Sequence, residues 1–356
     1  MERKDAIYSR EDLLGLSAAL LKKAGMESQI ASVVSEVLVE GDLLGHTTHG
    51  LALLPAYLQE LEQGSLTGSG VPEVIADRGG AVTLDGRYLP GPWLVYYAQD
   101  LALERCGEQP VVTVVIRRSH HTAALAAYAR RVTDRGLIFL MTCSDPSVQS
   151  VAPFGGLEPL YTPNPIAAGF PTGGDPVIID MSASCTANGV TSRLYREGRR
   201  LPHPWLLDRG GELSDDPAVL FADPPGSILP LGGKELGYKG YALGLLVEAL
   251  TAALAGSGRA DGIENWGASV FLQIIDPGAF AGNQAFTRET GWLAAACRTS
   301  PVRPGDPAVR LPGERALKLR EEQLVRGVRL YPSILPALRP WAEKFGVSLP
   351  QAVAPA

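Results

Sequence analysis

The sequence predicts an α/β chain, helices mixed with strands, on three observations. The first sixty-odd residues carry apolar side chains at helical spacing. Beyond about residue 75, short β-branched runs stand among helices. Neither GxGxxG nor GxxxxGK[ST], the glycine signatures of a Rossmann fold and a P-loop, occurs.

Each element follows from local signals. Ser9 and Asp12 stand as an N-cap pair before "LLGLSAALLKKAGM", which keeps helical spacing up to Gly25. A second helix is expected from about Ser28 to Leu44, and a third, "LALLPAYLQELEQG", ends at Gly64 as its C-cap residue. "AVTLDG" reads as a strand and turn, and "GPWLVYYAQDLALERCG" as an amphipathic helix. "PVVTVVIR" and "GLIFLMTC" read as strands separated by a helix that begins near Thr122. The stretch from Ser144 to Met181 is crowded with Gly and Pro, which suggests an irregular region facing a ligand. "GYKGYALGLLVEALTAALAGSG" is the most apolar helical stretch, and "ASVFLQIIDP" a late strand.

Composition narrows the function. At 356 residues the chain exceeds the usual single core, so two domains are expected. Hydrophobic residues at 46% and charged residues at 20% exclude a disordered or fibrous chain. A net charge of −6 gives no electrostatic footprint for nucleic acid. Cys106, Cys143, Cys185 and Cys297 form no CxxC pair and read as reduced. The charged start "MERKDAIYSREDL" lacks the apolar run of a signal peptide, and no stretch reaches the roughly 20 apolar residues of a membrane helix, so a cytoplasmic protein is expected.

Four constellations carry potential chemistry. "LGGKELGYKG" has the glycines to bring backbone N–H groups close to an anion at a helix start, and reads equally as a plain glycine-rich loop. On a helix, His46 and His49 would share a face at i and i+3 near Asp42, either as a polar helix end or as metal ligands; no HExxH supports the ligand reading. His120 and His121 sit where a strand hands over to a helix, and an imidazole there is either structural or a proton carrier for a carbonyl becoming an alcohol. Asp145, after the next strand, could orient such a histidine. No GxSxG elbow marks a serine hydrolase.

Taken in order, "GDLLGHTTHGLALLPAYLQEL", "RRSHHTAALAAYA", "APFGGLEPLYTPNPIAAGFPT", "VIIDMSAS", "GYKGYALGLLVEAL" and "LPGE" resemble the motifs of the malate/L-lactate dehydrogenase family that lacks a Rossmann fold. The resemblance runs from the first helix to about residue 330. It implies a largely antiparallel sheet in an NAD(P)-binding α/β domain, residues 76–279. It also implies a helical domain for substrate and dimerisation, built from residues 1–75 and about 280–356. A homodimer and either NAD or NADP are implied. Carried over residue by residue, the cofactor contacts fall on Asp180, Met181, Ser182, Lys239, Gly240, Gly313 and Glu314. The proton donor falls on His120, the histidine that Asp145 could orient, with His49 as the acid proposed for some relatives. Thr48, Tyr57 and Ser144 fall at the substrate, and no metal is implied.

The departures from the family pattern concern the substrate. Where relatives carry an arginine suited to a carboxylate, this chain has Ala52 and Leu53; a second such position falls near Glu264; and a usual Gly-Lys reads Gly189-Val190. Without cationic anchors a buried carboxylate is costly. The expected substrate is therefore a ketone or imine that is neutral or bears an amine, with Glu264 as a negative partner. Two other readings follow from the same residues: an altered pseudoenzyme that keeps cofactor and dimer, and a metal hydrolase using Asp42, His46, His49 and His120.

Overall fold

The computed structural model describes residues 6–355; the first five residues of the charged start lie outside them. In chain order the elements are β1 (Ala6–Tyr8), α1 (Arg10–Lys23), α2 (Ser28–Leu43), α3 (Leu54–Gln63), β2 (Glu73–Asp77), β3 (Ala81–Asp85), α4 (Gly91–Arg105), β4 (Val111–Ser119), α5 (Arg130–Thr133), β5 (Ile138–Ser144), β6 (Pro165–Phe170) and β7 (Val177–Ser182). There follow α6 (Asn188–Arg196), β8 (Leu206–Leu207), β9 (Leu213–Ser214), β10 (Ser227–Ile228), α7 (Gly233–Glu248), β11 (Ala268–Ile275), α8 (Asn283–Arg298), α9 (Glu314–Arg326), β12 (Val328–Arg329), α10 (Ile334–Phe345) and β13 (Ala354–Pro355).

Local chemistry sets most of these boundaries. The Ser9 hydroxyl accepts from the Asp12 N–H at 3.2 Å and starts α1. Gly64, at φ 77°, ends α3 in the left-handed region that a glycine enters without penalty. Two expectations fail for related reasons. α2 stops at Leu43 and Gly45 turns at φ 83°, so His46 and His49 sit in turns and not on one helical face. No helix starts at Thr122: Ala123 lies at φ 59°, a conformation that cannot continue a right-handed helix, and only a single 3₁₀ turn over Leu125–Tyr128 and the four-residue α5 follow.

A seven-stranded sheet of order β2-β3-β4-β11-β5-β6-β7 organises the chain, antiparallel at every step except β3 with β4. One face of its centre, Val112, Val114 and Ile116 of β4 with Val270, Leu272 and Ile274 of β11, is fully buried in a continuous core that takes in α1, α2 and α4. The opposite face buries Val115 and Phe271 against Ala255. Both faces of the central strands are thus covered, which accounts for their near-continuous apolar runs. β1 pairs antiparallel with β12 and with β13, joining the two ends of the chain.

The sheet is irregular at one point. Between Val270 and Ala268 the register on β4 moves from Ile116 to Ser119, three residues against two. The extra residue is a β-bulge, and Arg118 within it sits at φ 49°. Asp85, its side chain 1% exposed, secures the bulge by accepting from Arg117 Nε at 2.9 Å and Arg118 Nη2 at 2.6 Å. On the far side of the next turn, Gly91 opens α4 against the backbone: a Cβ there would lie 2.4 Å from the His121 carbonyl oxygen and 2.6 Å from that of His120. Gly91→Ala should therefore displace the 120–121 backbone and cost about 1–3 kcal/mol of stability. Thermal melting checks this, and an unchanged midpoint would show that the turn yields freely.

Candidate active site

The register of the sheet gathers the site. Ser119 lies opposite Ala268, Ser144 opposite Ser269, and Pro165 opposite Ser182. The residues that follow β4 and β5, those that precede β11, and the end of β7 therefore meet at one edge of the sheet. His121, Asp145, Trp266, Gly267, Asp180, Met181 and Ser182 border a cavity of about 470 Å³ there. The turn after α2 adds His46, Thr48 and His49, and the head of α6 adds Asn188, Gly189, Val190 and Ser192. A second cavity of about 510 Å³ shares His46, Asp180 and Met181 with the first and reaches Pro312, Gly313 and Arg315 at the head of α9.

The turn carrying His49 is pinned from below. Asp42, buried at the end of α2, accepts from the Leu51 N–H at 2.7 Å, and a Cβ on Gly50 would lie 2.4 Å from the Asp42 carboxyl carbon. Only glycine lets the turn close on that carboxyl. Burial pushes the Asp42 carboxyl up to about 7. Among the described residues, no three His, Cys, Asp or Glu side chains converge as a metal site would need.

The histidine pair divides in a way that corrects the sequence expectation. His120 is fully buried, and neither ring nitrogen has a hydrogen-bond partner among the described residues. Its ring packs edge-on to Trp266 at 4.8 Å and to Tyr57 at 5.3 Å, with Nε2 3.8 Å from Glu60. Burial pushes its pKa down to about 3. It borders neither cavity, so the structure does not bring the expected proton donor His120 to the cleft. His121 takes the place on the cleft, 5.9 Å from the His49 ring and 5.0 Å from Trp266.

Tyr57 holds His121 from behind. Its hydroxyl donates to the His121 carbonyl at 2.9 Å and lies 3.1 Å from His121 Nδ1, where it can accept from the Nδ1–H tautomer. The Ala123 N–H, 3.2 Å from the same nitrogen, suits the other tautomer. Nε2 makes no hydrogen bond among the described residues. Burial, then the nearby His49 and His120, hold His121 well below the usual imidazole value. Burial, followed by the charges of His46 and Arg193, takes His49 down to about 4, and Thr48 Oγ1 lies 2.9 Å from its Nδ1. Both rings are neutral at pH 7.

Other expected residues sort by where the sheet puts them. Thr48, His49, Asp145, Asp180, Met181 and Ser182 border the first cavity and Gly313 the second. Asp180 accepts from the Ala126 N–H at 2.8 Å, which draws the 3₁₀ turn onto β7. Asp145 supports no histidine: its Oδ1 accepts from Ser147 N and Oγ at 2.9 and 2.7 Å. Tyr57 is fully buried and cannot touch substrate. Ser144 is buried too, donating to Glu248 at 2.7 Å in a network closed by Arg259. Glu264 is exposed and borders neither cavity, so the structure does not bring it to the cleft. Lys239 is exposed on α7, and Gly240 is packed against Leu231 and Ala183. Glu314 accepts from the Leu311 N–H at the head of its own helix and pairs with Arg298. Sequence reasoning missed Trp266 and Arg315; the aromatic in "IENWGASVF", just ahead of a buried strand, was the available signal.

Comparison with known proteins agrees with this architecture. A Δ1-pyrroline-2-carboxylate/Δ1-piperideine-2-carboxylate reductase of Pseudomonas syringae pv. tomato is 31% identical over 90% of this chain and 92% of its own. Hydroxycarboxylate dehydrogenase B of Escherichia coli K12 is 28% identical over 91% and 90%. Among solved structures, malate dehydrogenase of Pyrococcus horikoshii matches with a TM-score of 0.88 at 25% identity, covering 98% of this chain and 97% of that one. The piperideine-2-carboxylate reductase structure matches with a TM-score of 0.83 at 28% identity, covering 94% and 99%. These relatives are dehydrogenases and reductases, and the pseudoenzyme reading finds no support among them. With a family profile matching residues 8–339, the chain belongs to the malate/L-lactate dehydrogenase family, whose members act on CH–OH or C=N groups.

Proposed function

We propose that this enzyme moves hydride between NAD or NADP and the carbon of a small C–OH or C–N compound, with His121 carrying the accompanying proton. The observation that carries the reading is the His121 ring itself, set on the cleft with Nε2 free and Nδ1 backed by Tyr57. Bound in the cleft, the nicotinamide supplies or takes the hydride. The chain's own residues fit such a cofactor. The two cavities meet at His46, Asp180 and Met181, which suits a long dinucleotide. At the far end Arg315 and the first N–H groups of α9 favour an anion. A Cβ on Gly313, at φ 83°, would lie 2.7 Å from the Ile178 carbonyl oxygen, so only glycine keeps this end open.

In the oxidising direction a neutral imidazole takes the proton at Nε2, and the Tyr57 oxygen accepts from Nδ1–H of the cation so formed. His49 closes the cleft opposite, and Trp266 excludes water beside it. We further propose a homodimer built on the exposed apolar side chains Leu245 and Leu246 of α7 and Trp292 and Leu293 of α8. In this proposal residues 1–75 and 280–356 form the substrate and dimerisation domain, and 76–279 the cofactor domain.

His121→Ala should lower turnover by about 10²–10⁴-fold with cofactor binding kept, whereas His120→Ala should act mainly on stability. Steady-state rates beside cofactor fluorescence titration separate the two. Equal loss of turnover in both variants would return the proton to His120. Because the base must be unprotonated and its pKa is held beneath 6.5, kcat/KM for oxidation should stay level as pH falls from about 8 to 6.5 and decline only below that. A midpoint at or above 6.5 would assign the proton to another group.

A further inference from the structure

The charges around the first cavity are one-sided. Asp145 and Asp180 border it, and among the described residues no lysine or arginine does; His46, His49, His121 and Cys143 are its other ionisable groups. An anionic substrate would meet two carboxylates and no fixed cation, with only hydroxyl donors and the N–H groups at the head of α6 against its desolvation cost. The two carboxylates are not equivalent. Asp180 lies where the two cavities join and is engaged by the turn at Ala126, whereas Asp145 borders the first cavity alone.

Asp145 has capacity to spare. Donors from Ser147 hold one oxygen and the Gly267 N–H adds a third bond, leaving one of a carboxylate's roughly four acceptor sites for a ligand. Arg259 does not saturate it, because that guanidinium is spent on Glu248 at 3.0 Å and on the backbone carbonyls of Asp145 and Val148 at 2.8 and 2.7 Å. Burial, the largest influence on Asp145, pushes its carboxyl above the ordinary value, as for a charge that lacks a full partner. Trp266 borders the same cavity and adds an aromatic ring beside Asp145 and His121.

We propose that the substrate is itself a cation, a protonated imine without a carboxylate, whose nitrogen pairs with Asp145 beside Trp266. This rests on the oxidoreductase reading above and names its substrate class. The chemistry balances without a separate acid for the hydride step. A bound reduced nicotinamide would supply the hydride to the iminium carbon and be oxidised, while the C=N π pair becomes the nitrogen lone pair. The amine then takes one proton from solvent, relayed by His121, and departs as an ammonium ion, so substrate and product are both cations. Asp145 is the residue that selects them.

The test compares three matched ring compounds on the cofactor-loaded enzyme: an alkyl 1-pyrroline, the same ring bearing a 2-carboxylate, and the corresponding cyclic ketone. Wild type and Asp145→Asn are followed by loss of reduced-nicotinamide absorbance, and pyrrolidine binding to the oxidised-cofactor form is measured by calorimetry. Asparagine keeps an acceptor for Ser147, and thermal melting confirms the fold. The expected result is an alkyl imine preferred over the carboxylate. Asp145→Asn should raise its KM about tenfold or more, weaken pyrrolidine comparably, and lower the imine-to-ketone ratio of kcat/KM about tenfold. Preference for the carboxylate, or an unchanged imine-to-ketone ratio in the variant, would overturn the proposal and leave the oxidoreductase reading standing. A panel wholly inert while NADH and NADPH still bind would overturn both.

Discussion

The structure depends on one arrangement: β11 lying antiparallel between β4 and β5. That pairing sends the ends of two strands and the beginning of a third to the same edge of the sheet. Side chains as far apart in sequence as His121 and Trp266 then face one cavity. Rigid strands position such groups more firmly than mobile connections do. The helices α1, α2 and α4 bury one face of these strands, so the geometry of the cleft is tied to the main hydrophobic core.

Much of this was legible in the sequence, where local chemistry and structure agree. Ser9 announced α1 because a hydroxyl at that position accepts a helical N–H, and Gly64 closed α3 because it can enter the left-handed region. The β-branched run at Val111 and the apolar one at Ile138 became central strands because both their faces are covered. The ordered motifs also pointed to the family, and through it to the antiparallel sheet that periodicity alone could not specify.

What the sequence hid was parity. Two adjacent histidines on extended backbone face different surroundings, and choosing between them requires knowing the strand register to a single residue. The bulge at Arg118 adds the residue that defeats a simple count from Val112 to His121. A turn held at φ 59° by tertiary contacts likewise overrode the helical texture after Thr122. Glu264 and Ser144 lie beside residues of the cleft in sequence, yet one points to solvent and the other into a buried network with Glu248 and Arg259. Neighbourhood along a chain says little about direction.

The wall of the cleft is drawn from separate stretches that run from His46 to Ala268, with its second chamber completed near Leu319. No contiguous fragment carries the pocket. Each of those distant stretches carries its own loop-closure cost, so binding at this site is tied to the pairing of the whole sheet and not to any one excised segment.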